Sequence, residues 1–228
     1  MAAFVQPAPR AVRAVVFDLD GTLVDSSDDI AASVNVALAR HGFAPRSAGE
    51  VRSFIGDGAA RLLARAAVLR NDAPQLKALL DSFLAHYVEH AVDRTRLFAG
   101  AAAALRALVP LPLALCTNKP RAPTLAILRA LDIERAFSVV VAGGDLPRHK
   151  PDPAPLEHIA RELAVPLSEL VMVGDGPQDI ECARNAGARS IGVVGNIVSR
   201  ERLLASQPDA LVALSEVPAV VEAWRTAR

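Results

Sequence analysis

The strongest constraint on this chain is a short apolar run that ends abruptly in acid. Residues 14–17, Ala-Val-Val-Phe, carry the β-branched and aromatic side chains of a strand buried on both faces of a parallel sheet. Asp18 and Asp20 follow with only Leu19 between them, and Gly21-Thr22 then signals a turn. If the strand's period of two continues, both carboxylates emerge on one side. Like charges held so close are costly unless a cation lies between them or one carries a proton. The pair reads as a divalent-metal site, as a nucleophile with its acid, or more plainly as turn acids after a core strand.

Beyond the turn, residues 27–96 change to helical periodicity. Ile30, Val34 and Leu38 share one helical face, and the pattern stops at His41-Gly42. Ser47 and Glu50 have the spacing of a capping box. Leu76, Leu79, Leu80, Phe83, Leu84 and Tyr87 recur at helical spacing after Pro74. From residue 97 strand and helix alternate. Strands are expected at 111–116, 138–142, 170–173, 190–194 and 210–214, and helices at 123–131, 154–164, 178–186 and 217–224. Such alternation implies an α/β fold, a doubly wound, Rossmann-like parallel sheet with helices on both faces. The expected division is a core of residues 11–26 and 97–228 with an all-helical insert at 27–96. Residues 1–10, with Pro7 and Pro9, read as a loose lead-in.

In this architecture functional groups gather at the carboxyl ends of strands. The strand ending at Cys116 leads into Thr117-Asn118-Lys119-Pro120, where a hydroxyl and turn amides could receive an anion or simply cap a helix. Lys150 lies in His-Lys-Pro-Asp-Pro, and Asp175 and Asp179 lie in Gly-Asp-Gly-Pro-Gln-Asp after the next strand. Taken singly, Lys150 could be a solvated loop residue and Asp179 a first-turn acid favoured by the helix dipole.

Taken in order, these runs resemble the four motifs of the haloacid dehalogenase-like superfamily of phosphotransferases. Asp18 to Ser26 is similar to DxDGTLxDS, Thr117 marks the second motif, Lys-Pro-Asp-Pro the third, and GDxxxD at 174–179 the fourth. Gly176 and Gln178 depart from the commoner Ser or Thr and Asn of that last motif. Thr-Asn-Lys-Pro, together with Ile55-Gly56-Asp57-Gly58-Ala59 in the insert, resembles the phosphoglycolate phosphatase branch. The resemblance implies a helical cap and a Mg²⁺-dependent phosphomonoester hydrolase working through an aspartyl-phosphate. It makes Asp18 the nucleophile, Asp20 the acid and base, and Lys150 the bridge between nucleophile and phosphoryl group. Thr117, Asn118 and Lys150 would hold phosphoryl oxygens. Asp18, Asp175 and the backbone carbonyl of Asp20 would hold Mg²⁺, with Asp179 a second metal-side acid or a first-turn residue. Gly56, Asp57 and Gly58 would face substrate, and Arg61 or Arg65 could pair with a substrate carboxylate.

The implied substrate is 2-phosphoglycolate, cleaved to glycolate and phosphate. Another small-metabolite phosphatase acting on a sugar phosphate or pyrophosphate, a phosphomutase, and a non-catalytic phosphate-binding signalling domain remain open. A dehalogenase of this fold would not keep the acid at Asp20.

Composition narrows the partners. Lys plus Arg and Asp plus Glu number 25 each, so no net field draws nucleic acid or an anionic membrane. No apolar run approaches the roughly 20 residues of a membrane span, and residues 1–10 lack a signal-peptide pattern. A cytoplasmic enzyme acting on a small phosphorylated metabolite is expected, with monomer and homodimer both open. Cys116 and Cys182 lack zinc-site spacing and read as buried apolar groups. His41, His86, His90 and His158 read as helix-end or helix-face residues sharing no site, and His149 as a neighbour of Lys150.

Overall fold

The structure, a computed structural model, describes residues 4–5, 11–194 and 197–226. It opens with β1 (Phe4–Val5), β2 (Ala14–Phe17) and the short β3 (Val24–Asp25). Four helices follow: α1 (Ser27–Arg40), α2 (Ala48–Ser53), α3 (Ala59–Ala66) and α4 (Gln75–His90). The chain returns through β4 (Arg96–Leu97) and α5 (Ala101–Ala107) to β5 (Leu113–Pro120), α6 (Arg121–Ala130) and β6 (Val139–Gly143). It then runs through α7 (Ala154–Leu163), β7 (Leu170–Gly174), α8 (Pro177–Ala186), β8 (Arg189–Val193), α9 (Arg200–Ala205), β9 (Ala210–Val212) and α10 (Val217–Thr226).

The main sheet has the order β1-β9-β8-β7-β2-β5-β6, parallel except for β1. Strand β2 therefore lies at the centre, paired with β7 on one side and β5 on the other. Its residues divide between two apolar layers, as a strand covered on both faces must. Val15 and Phe17 join Ile127, Leu128, Val221 and Trp224, from α6 and α10. Ala14 and Val16 join Leu156, Ile159 and Cys182, from α7 and α8. Each large side chain buried in these layers contributes roughly 1.5–3 kcal/mol. Cys116 and Cys182 are free and buried, as their apolar surroundings suggested.

Two expectations are corrected, and one helix was not expected. Phe4–Val5 is an antiparallel edge strand, Phe4 opposite Leu211, and not part of a loose lead-in; the rest of residues 1–10 lies outside the described residues. The strand expected at 111–116 starts at Leu113 and runs to Pro120. Pro110 and Pro112 lack the N–H that an earlier ladder would need. Helix α5 was not legible, because an alanine run has high helix propensity but too few large apolar residues to show a period.

The helical insert keeps its expected faces. Ile30, Val34 and Leu38 on α1 pack with Leu79, Phe83 and Tyr87 on α4, in the same apolar cluster as one face of the sheet. Ser47 and Glu50 form the capping box of α2, a device worth about 1 kcal/mol. His86 and His90 stack at 4.2 Å and so are not independent, although among the described residues they form no metal-ligand cluster.

Both crossings between insert and core are braced. Strands β3 and β4 pair as an antiparallel ribbon, Val24 opposite Leu97. The buried Asp29 carboxylate accepts hydrogen bonds from the backbone of Arg94 and Thr95 and from the Thr95 hydroxyl, at 2.8–3.0 Å. Asp29 thereby holds the start of α1 against the returning chain.

Candidate active site

The centre of the sheet ends in acid. The Asp18 amide donates to the Val173 carbonyl at 2.9 Å, continuing the β2–β7 pairing for one more residue. Leu19 turns into the core, whereas Asp18 and Asp20 line one pocket, as the period of two required. Gly21 has φ +87°, and a Cβ there would lie 2.2 Å from an Asp175 oxygen. Glycine is needed both for the turn and for the approach of Asp175.

Asp175 stands just beyond β7 and accepts from the Thr22 hydroxyl at 3.1 Å. Carboxylate oxygens of Asp18, Asp175 and Asp179 lie within 4.8 Å of one another, all buried. Burial, then the charges of Asp18 and Asp179, pushes Asp175 well above the usual carboxylate range. Burial likewise raises Asp179 to about 7, against the pull of Lys150.

Lys150 ties this cluster together. Its Nζ donates to Asp18 Oδ1 at 2.8 Å and to Asp179 Oδ1 at 2.6 Å. Burial alone would lower the ammonium, but Asp179 and Asp18 hold it well above its ordinary value. One ammonium against three carboxylates leaves negative charge that a divalent cation would neutralise. An all-oxygen donor set of this kind suits a hard ion such as Mg²⁺. Both oxygens of Asp179 are engaged, Oδ1 by Lys150 and Oδ2 by the Gly176 amide at 3.0 Å. Asp18 and Asp175 are therefore the freer candidate ligands, and Asp179 anchors Lys150 while satisfying the first turn of α8.

Asp20 is held differently. It accepts from the Ser26 hydroxyl at 2.6 Å and from Lys119 Nζ at 2.9 and 3.0 Å. Lys119 in turn donates to the Tyr87 hydroxyl on α4. Its charge survives burial because Asp20 and Tyr87 raise its pKa. Burial pushes the Tyr87 phenol up to about 12. Lys119, Tyr87 and Ser26 were given no role in the sequence reading. Lys119 lay in plain view beside Thr117 and Asn118, whereas Tyr87 read as one more apolar position of its helix.

Thr117 and Asn118 both line the pocket. The Thr117 hydroxyl oxygen accepts from the Lys119 amide at 3.2 Å, which leaves its O–H to be donated. Asn118 is more committed. Its side-chain carbonyl accepts from the Lys150 amide, and its NH₂ donates to the carbonyls of Lys150 and Gly56. The Asn118 side chain thus joins the lysine loop to the helical insert.

The insert supplies the other wall. Gly56 and Gly58 line the pocket with Ile30, Ile55, Leu62 and Phe83, and the free space is about 40 Å³, room for a few waters. Asp57 pairs instead with Arg65. Arg61 and Arg65 face a separate surface groove with Arg70 and Asp72, because Leu62, Leu63 and Ala66 turn the other side of α3 inward. The expectation that either arginine meets a substrate carboxylate is not met by this arrangement. Gln178, one of the departures in the fourth motif, lies under Gly56, where a Cβ would meet its amide at 2.7 Å.

Comparison with known proteins places this geometry in a family. The model of haloacid dehalogenase-like hydrolases matches residues 15–193, and the chain belongs to that family. A phosphoglycolate phosphatase of Neisseria meningitidis serogroup A is 36% identical over 210 residues, covering 88% of this chain and 89% of the relative. One from Cereibacter sphaeroides strain ATCC 17029 is 42% identical over 182 residues, covering 77% and 82%. The crystal structure of a predicted phosphoglycolate phosphatase from Haemophilus somnus 129PT superposes with a TM-score of 0.84 at 30% identity, covering 92% of this chain and 97% of the other. The protein is a phosphatase similar to the phosphoglycolate phosphatases. Among the described residues no helix is long and apolar enough to cross a membrane.

Proposed function

We propose that this phosphatase is a Mg²⁺-dependent phosphomonoesterase that hydrolyses 2-phosphoglycolate through an aspartyl-phosphate on Asp18. The carrying observation is the buried Lys150, bonded at once to Asp18 and Asp179 beside Asp175. An ammonium there is bonded to Asp18 and can draw in the phosphoryl oxygens as the nucleophile attacks. Asp18 attacks phosphorus in line, splitting hydrolysis into two displacements. Asp20 gives its proton to the leaving oxygen and then takes one from the water that opens the intermediate. Thr117 and neighbouring amides hold the equatorial oxygens. Bound between Asp18, Asp175 and the carbonyl of Asp20, Mg²⁺ would offset phosphoryl charge and help align the phosphorus.

The division into a core of residues 11–26 and 97–228 and a cap of 27–96 belongs to the same reading. A cavity holding only a few waters must widen to admit substrate, and the β3–β4 ribbon is the natural place for that motion. The names of the relatives support the choice of substrate. A panel of small phosphomonoesters assayed for phosphate release, with Mg²⁺ and with excess chelator, tests the proposal. The expected result is turnover of 2-phosphoglycolate ahead of sugar phosphates and pyrophosphate, abolished by the chelator. Indifference to 2-phosphoglycolate, or undiminished turnover in chelator, would overturn it.

A further inference from the structure

The arginines offered by the sequence for a substrate carboxylate face away from the pocket, which leaves open what recognises that group. Among the described residues lining the pocket, Lys119 alone carries a cationic side chain. It is buried, and its ammonium bonds both oxygens of Asp20 and the Tyr87 hydroxyl, 4.6 Å above the Tyr87 ring centroid. The remaining wall on this side is apolar, formed by Ile30, Ile55, Leu62 and Phe83. We infer that Lys119 is the specificity-determining residue of this site, receiving a carboxylate carried one carbon away from the leaving oxygen.

The argument is one of reach and rests on the proposed reaction. The leaving oxygen must come within hydrogen-bond distance of Asp20, the residue that protonates it. Lys119 Nζ is 2.9 Å from that same carboxylate. A group able to touch both residues must place its charge next to its leaving oxygen, as glycolate does across a single methylene. The apolar wall covers the methylene and offers nothing to the hydroxyls of a sugar, whose burial without partners is costly. Tyr87 positions the ammonium from the helical insert, so the recognising cation forms its full set of contacts only with the insert closed on the core.

The test compares 2-phosphoglycolate with 2-hydroxyethyl phosphate, in which a neutral CH₂OH replaces the carboxylate, and reads the ratio of kcat/KM. The full-length enzyme is expected to favour the carboxylate by about 10–100-fold, the worth of one hydrogen bond to a charged group. In Lys119→Met that ratio collapses toward one, whereas Tyr87→Phe, which keeps the ammonium, retains most of it. If Lys119 served only to hold Asp20, its loss would slow both substrates alike and leave the ratio unchanged, which overturns the inference. Equal turnover of both substrates by the unaltered enzyme overturns it too, and does not depend on any variant folding. Vigorous turnover of other phosphomonoesters with none of 2-phosphoglycolate would instead strike the substrate reading on which the inference stands.

Discussion

The two walls of the pocket are built on opposite principles. On the core side, Asp18, Asp175, Asp179 and Lys150 are buried together beyond the carboxyl ends of β2 and β7 and grouped into one charged cluster. On the insert side, the lining is mostly apolar side chains and two glycines, and hydrogen bonds such as Asn118 to Gly56 and Lys119 to Tyr87 join it to the core. Burying so much charge demands that every partner stay in place, because an unpaired ion in the interior is far costlier than an exposed one. Chemistry that needs fixed geometry therefore belongs to the sheet. An apolar wall joined by a few hydrogen bonds can separate and re-form at low cost, which suits entry and selection of substrate.

The sharpest test of this contrast is Asp18→Asn, expected to lower phosphate release by about 10⁴-fold or more, because no nucleophile remains for the first displacement. Activity surviving within tenfold would break the assignment of chemistry to the core wall. Lys150→Met, next in size, leaves Asp18 and Asp179 buried without their counter-ion, and metal-free stability should fall by about 3–5 kcal/mol in urea unfolding. An unchanged midpoint would mean that the cluster is not held by that lysine. Asp20→Asn should cost about 10²–10³-fold on 2-phosphoglycolate and much less on p-nitrophenyl phosphate, whose leaving group needs no proton. Equal losses on the two esters would remove Asp20 from its role as acid.

The smallest effects lie in pH, and the two regions should respond with opposite sign. Asp179, raised to about 7 in the fold, and Asp175, raised well above its ordinary value, bind protons more tightly in the native state than in the unfolded chain. Without metal their contribution is fully present below their ordinary carboxylate range, and that of Asp179 is lost as pH rises through about 7, that of Asp175 as pH rises above the carboxylate range. Added Mg²⁺ should restore stability at the alkaline end. In the insert, burial and then the charges of His90 and Arg40 lower the His86 pKa, so that stability is lost as pH falls below about 6.5. Thermal melts between pH 5 and 8, with and without Mg²⁺ and with His86→Gln, separate the two, and a metal-free profile that rises with pH throughout would erase the contrast.

Much of this architecture is legible in the sequence. The strand Ala14–Phe17, the side shared by Asp18 and Asp20, the placement of Asp175 directly after a strand, and the capping box at Ser47 all follow from local rules: period, turn chemistry and end signals. Such features depend on neighbours in sequence, and a chain carries them wherever it folds. The first and fourth family motifs were legible for the same reason, since each begins where a strand ends.

Only the tertiary structure could decide which cation meets which acid. Lys119 and Asp20 lie 99 positions apart, Lys150 and Asp18 lie 132 apart, and nothing local distinguishes Lys119 from a surface lysine or Arg61 from a pocket residue. Ion pairing in the interior depends on distances of a few ångströms, set by the order of strands in the sheet and by the rotation of α3 about its axis. Sequence determined the residues that end each strand; packing determined which of them face one another, because charge interacts through space and not along the chain.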